Sequence, residues 1–109
     1  MIKFILGFCI FIRFTQVQGA DIKSLHQIVM KSISFDPKTL TIKSGESVEW
    51  MNQSLTQHSA TADDGKSFDT GLLEPQKKSK QIQFNTAGTF LYHCSVHGKT
   101  MHATIIVKE

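Results

Sequence analysis

From Ser24 onward the apolar residues recur at every second position in short runs, and each run ends at a turn residue, a pattern that leaves no room for a long helix. Ile28 and Met30 alternate in a first run, and Ser32 to Phe35 continues extended until Asp36-Pro37 breaks it. Leu40 and Ile42 share one face, Thr41 and Lys43 the other. Ser44-Gly45-Glu46 then turns the chain, after which Val48 and Trp50 alternate with Glu49 and Met51. These two runs are expected to form a hairpin. Ile82 and Phe84 share a face before a turn at Asn85 to Gly88. Phe90, Tyr92 and Cys94 alternate along the next run, and Ala103 to Lys108 carries Ile105 and Val107 inward as the last strand. About seven or eight short strands in so short a chain predict an all-β fold, an antiparallel sandwich.

The 109 residues suffice for one domain, and the first twenty stand apart from the rest. Lys3 supplies a positive start and Phe4 to Ile12 an apolar run too short to cross a bilayer, which takes about 20 residues. Residues 1–20 therefore read as a secretory signal peptide cut near Gly19-Ala20, leaving 21–109 as an exported, periplasmic domain with no stable membrane insertion. An uncleaved anchor is the alternative. Lys3 and Arg13 leave with the signal, so the formal net charge falls from +3 to +1 and nucleic-acid binding has little support. Cys9 leaves as well. Of the 2 cysteines only Cys94 is exported, and a lone thiol in an oxidising compartment points to intermolecular pairing, a reactive group or a metal ligand.

The long polar stretch from Asn52 to Gly71 is a connection of the kind that usually carries function. Between the last two strands, Cys94, His97 and Met101 follow the spacing C-x2-H-x3-M, so a short loop offers a thiolate, an imidazole and a thioether around one point. His58, in the polar stretch, is the candidate for a second imidazole. Two His and one Cys with a weak Met form a set that favours copper over magnesium or calcium. The plainer readings are a small buried hydrophobe for Cys94, loop polarity for His58 and His97, and core filling for Met101. His93 falls on the opposite face of its strand from Cys94, so it and His102 read as solvated. His26 reads as incidental, and Phe35, Trp50, Phe68, Phe84, Phe90 and Tyr92 as core.

One family carries these marks together. Phe35-x-Pro37-x-x-Leu40-x-Ile42-x-x-Gly45-x-x-Val48-x-Trp50-x-Asn52 is followed by His58, Phe68-Asp69-Thr70-Gly71-Leu72, Ala87-Gly88-Thr89-Phe90-x-Tyr92-x-Cys94-x-x-His97 and Met101-x-Ala103-x-Ile105-x-Val107. Over this span the chain resembles the cupredoxins, in particular small bacterial plastocyanin-like and amicyanin-like proteins. The resemblance implies a Greek-key β-sandwich holding one type 1 copper ion, with His58, Cys94 and His97 roughly in a plane around it and Met101 weakly axial. It implies a monomeric one-electron carrier rather than an enzyme, cycling between Cu(II) and Cu(I), with His97 at the exposed edge as the electron's exit toward redox partner proteins. A copper-trafficking or storage protein would use the same donors. The His97 to Met101 spacing lies between those of the two subfamilies, Ser59 stands where many relatives have Asn, and Ala103 replaces a common Gly. Lys77, Lys78 and Lys80 form a solvated charge run, and together with Lys99 in the ligand loop they would favour a partner with an acidic surface.

Overall fold

The computed structural model describes residues 23–109, so the signal peptide expected at 1–20, its cleavage point and Cys9 lie outside the described residues. Eight strands form: β1 (Leu25–Met30), β2 (Phe35–Asp36), β3 (Thr39–Lys43), β4 (Ser47–Asn52), β5 (Thr61–Ala62), β6 (Ile82–Gln83), β7 (Gly88–Cys94) and β8 (Gly98–Lys108). No helix forms among the described residues. One sheet has the order β2-β1-β4-β6 and the other β3-β8-β7-β5.

The inward side of each strand is the apolar set that the alternation marks. Ile28, Met30, Val48 and Trp50 from the first sheet meet Ile42, Tyr92, Cys94, Met101, Ala103, Ile105 and Val107 from the second in one continuous core. Phe35, Phe68 and Phe84 are buried in it and Phe90 packs against it. Trp50 lies at its centre, stacked on Phe68 with ring centroids 5.5 Å apart and edge-on to Tyr92 at 5.6 Å. Its indole N–H donates to the Tyr92 hydroxyl at 3.3 Å, which gives both polar groups a partner in an otherwise apolar core. Burial pushes the Tyr92 phenol pKa well above its ordinary value, so the hydroxyl stays neutral.

Three expectations about pairing are corrected. The β3 and β4 runs are strands, but they do not form a hairpin: β3 pairs in parallel with β8, and β4 pairs in parallel with β1. The turn between them hands the chain from one sheet to the other. The Ser44 N–H donates to the Lys108 carbonyl at 2.6 Å on the β8 side, and the next amide, Gly45 N–H, donates to the Phe84 carbonyl at 2.7 Å beside β6. Gly45 makes the swing at φ +94°, a value that L side chains rarely adopt. Period-2 alternation states which side of a strand is buried and is silent about its neighbour, so the sandwich is mixed rather than antiparallel. Second, Ser32 and Ile33 form a bend, closed by the Lys31 N–H on the Ser34 carbonyl at 2.8 Å, and only Phe35–Asp36 pairs back on β1. Third, the last strand begins at Gly98 rather than Ala103.

Candidate metal centre

Cys94 is the last residue of β7, and its inward orientation follows from the alternation that buries Tyr92 two positions earlier. The turn that follows is tight. Cys94 pairs directly with Gly98, which takes φ +58°, while His93 pairs with His102, so residues 99–101 bulge from β8. This bulge is why the final strand starts early, and it lets His97, in the turn, swing over the end of the sandwich. Met101 is fully buried and shares the inward side of β8 with Ala103, Ile105 and Val107.

His58 arrives from the polar connection, which is far from structureless. The His58 backbone pairs with Leu73 in both directions, at 3.2 and 2.7 Å. Asn52, fully buried, donates through Nδ2 to the carbonyls of Thr56 and Leu73 at 2.8 and 2.9 Å, and its Oδ1 accepts from the Ser54 amide at 2.9 Å. The polarity of this stretch therefore serves its own backbone. Sequence reading took it only as a sign of function, although an Asn two residues before a Ser is a recognisable side-chain turn signal.

The result is a convergence of three donors. Cys94 Sγ lies 3.6 Å from His58 Nδ1 and 3.6 Å from His97 Nδ1. All three ligand atoms fall within 4.8 Å of one another, and the two imidazoles stand 4.9 Å apart at 48°. His58 and Cys94 are fully buried and His97 is half-buried. Metal–imidazole and metal–thiolate bonds of roughly 2.0 and 2.3 Å that meet at an open angle span about the 3.6 Å seen here. A thiol offers the two facing nitrogens at best one weak S–H bond and one weak sulfur acceptor, whereas a metal ion engages all three donors at once. Burial, then the neighbouring His97, lowers the His58 pKa from its ordinary value, against a smaller opposing pull from the Lys31 and Ser32 backbone. A neutral ring is the form that ligates. The far nitrogen, Nε2, is buried and makes no hydrogen bond of good geometry.

The two loops are joined through Ser59. Its hydroxyl accepts from the Ser95 amide and donates to the Ser95 hydroxyl, both at 2.9 Å, and its own amide donates to Cys94 Sγ at 3.4 Å. The hydroxyl thus ties the segment bearing His58 to the turn after Cys94. Ser59→Ala leaves the Ser95 amide without its acceptor, which costs about 1–2 kcal/mol. A thermal melt is expected to show a fall of roughly 4–16 °C, and an unchanged melting point would mean the tie is incidental.

The remaining histidines stay away from this cluster. His93 Nδ1 meets Asp63 Oδ1 at 2.6 Å on the outer face, His102 is exposed, and His26 pairs with Glu46 at 2.9 Å.

Comparison with known proteins identifies the family to which this fold belongs. A family model described as a cupredoxin-like domain matches residues 3–107. A plastocyanin of Scenedesmus fuscus is 33% identical over 88 residues, covering 71% of this chain and 89% of that protein. An amicyanin of Paracoccus denitrificans is 29% identical over 68 residues, covering 60% of this chain and 52% of that protein. Among solved structures, a purple cupredoxin from Nitrosopumilus maritimus has a TM-score of 0.68 at 21% identity, over 76% of this chain and 99% of that one. The Cu-containing nitrite reductase from Thermus scotoductus has a TM-score of 0.71 at 28% identity, but this chain, 79% covered, spans only 23% of that one. A model that runs from residue 3 to residue 107 leaves almost nothing outside it, and the chain is accordingly a member of the cupredoxin-like family.

Proposed function

We propose that this protein is an exported one-electron carrier in which His58, Cys94 and His97 hold a single type 1 copper ion and Met101 is a weaker fourth donor. The observation that carries the reading is the set of two imidazole nitrogens and one thiol sulfur gathered within 4.8 Å at one end of a rigid sandwich. Copper bound there supplies one electron at a time by moving between Cu(II) and Cu(I). The chain contributes the rest. β7 and the Leu73 pairing hold Cys94 and His58 through backbone bonds that the metal takes no part in, which keeps rearrangement small. Burial of both excludes water from the donors, and the half-buried His97 brings one ligand ring to the surface.

That edge also suits docking. A groove beside His97 is lined by Ile33 and Leu55, with Leu55 92% exposed, and Val96 next to His97 is exposed as well. An apolar rim of this kind fits a transient redox partner that must bring its own centre close without binding tightly. Lys99, just beyond His97 in sequence, favours an acidic partner. Raising salt from 0.05 to 0.5 M, estimates that take the Debye length from about 14 to about 4 Å, is expected to slow electron transfer to such a partner severalfold. A salt-independent rate would remove the electrostatic part of this reading. Residues 1–20 act in this proposal as a signal peptide that delivers residues 21–109 to the periplasm. The nitrite reductase likeness concerns about a quarter of that enzyme and brings no reaction to this chain.

The test is to add Cu(II) to the purified protein and record its visible and electron spin resonance spectra. One equivalent bound with an intense thiolate-to-copper band is expected, and a colourless protein would overturn the proposal. Slow copper loss through repeated redox cycles separates an electron carrier from a trafficking protein, which must release its metal.

A further inference from the structure

The outer face of β7 and β8 carries ligating side chains that the centre above leaves unused. His93 and His102 stand directly opposite one another in the antiparallel register, which places their Cβ atoms about 4.5–5.5 Å apart on one face. Alternation turns that face away from Cys94 and Met101. β5 supplies the third member: Thr61 pairs with His93, and the turn after β5 brings Asp63 Oδ1 to 2.6 Å from His93 Nδ1. Asp63, His93 and His102 line an open groove of about 540 Å³ with Lys99 at its edge.

A carboxylate on Nδ1 determines which nitrogen of an imidazole carries the proton. With the Nδ1–H of His93 donating to Asp63, its Nε2 keeps a free lone pair, and the ring is held by the kind of carboxylate support that metal-ligating histidines use. We propose that His93 and His102 form a second metal site for a divalent cation of the zinc, nickel or copper(II) class, with Asp63 orienting His93. Paired neutral imidazoles suit these borderline ions and discriminate against magnesium and calcium. The site closes on binding rather than standing assembled. Among the described residues only His58, Cys94 and His97 hold three donors within 4.8 Å, so the exposed His102 ring turns about its Cα–Cβ bond to complete the pair. Lys99 opposes a cation in the groove and Asp63 offsets it, so the ion exchanges readily.

Zinc chloride is the probe, titrated into the full protein and into a His93→Gln/His102→Gln variant, with bound metal counted after equilibrium dialysis. The parent is expected to take up one equivalent more than the variant. If the Cys94 centre also takes zinc the comparison is two against one, and if it does not it is one against none, so the outcome is independent of the copper proposal. Asp63→Asn is expected to weaken the same equivalent by roughly tenfold, whereas His26→Gln, elsewhere on the surface, leaves it unchanged. Because His93 adjoins Cys94, the exposed His102→Gln change is measured separately. It is expected to lower affinity at least tenfold while the melting temperature in chelator stays that of the parent. Equal zinc uptake by parent and double variant, or undiminished affinity in His102→Gln, overturns the proposal.

Discussion

Cys94→Ser is expected to abolish the visible band of the copper-loaded protein and to weaken copper binding at least a hundredfold, about 2.8 kcal/mol. The hydroxyl stays protonated at neutral pH and is a hard oxygen, so it offers neither the charge nor the softness of a thiolate. The fold is expected to survive. Serine is nearly isosteric, and at this buried position its oxygen can still accept the Ser59 amide that now points at Sγ. The cost to the metal-free protein is therefore the burial of one partly satisfied hydroxyl, about 1–2 kcal/mol. Equilibrium dialysis reads the affinity, absorption the band and circular dichroism the fold. A variant that keeps its colour would place the copper elsewhere.

The largest effect on stability is expected at Trp50. Trp50→Ala removes a fully buried indole from between Phe68 and Tyr92 and takes away the donor to the Tyr92 hydroxyl. Truncations of this kind cost about 3–5 kcal/mol, against a total stability of order 5–15 kcal/mol for a small domain. Trp50→Phe keeps most of the volume and loses the N–H, for an expected 1–2 kcal/mol. Urea unfolding followed by circular dichroism separates the two: the midpoint drops in both with an unchanged slope, further for alanine. An alanine variant within 1 kcal/mol of the parent would show that the sheets close over the cavity.

What could be read from the residues was the inside of the molecule. Alternation placed Ile28, Met30, Val48, Trp50, Tyr92, Ile105 and Val107 inward, and all are buried. The same alternation put Cys94 beside Tyr92 and sent His93 outward. The spacing from Cys94 to His97 kept the second donor close in the chain, and the tight turn over residues 95–97 brings its Nδ1 to 3.6 Å from the sulfur. His58 was legible only as a histidine in a polar connection. Its position is made by the Leu73 pairing and by Asn52, which tie a stretch that looks featureless because its order lies in side-chain to backbone bonds. Partnership between strands was the part that could not be read. A hairpin and a crossing between sheets both need a turn at Ser44-Gly45, and only the long-range amide contacts to Lys108 and Phe84 distinguish them.

The place of β8 within its sheet bears on when the protein can acquire its metal. β8 is the last of the eight described strands yet lies between β3 and β7, so a growing chain that stops before Gly98 has two strands with no common neighbour. Until those residues leave the ribosome, the segment bearing Cys94 has no partner on that side and His58 has no fixed counterpart. The thiol is thus sheltered only once β8 has docked beside β7. Docking of β8 is expected to precede metal capture, so a chain truncated at His97 should retain no copper that the 109-residue chain retains.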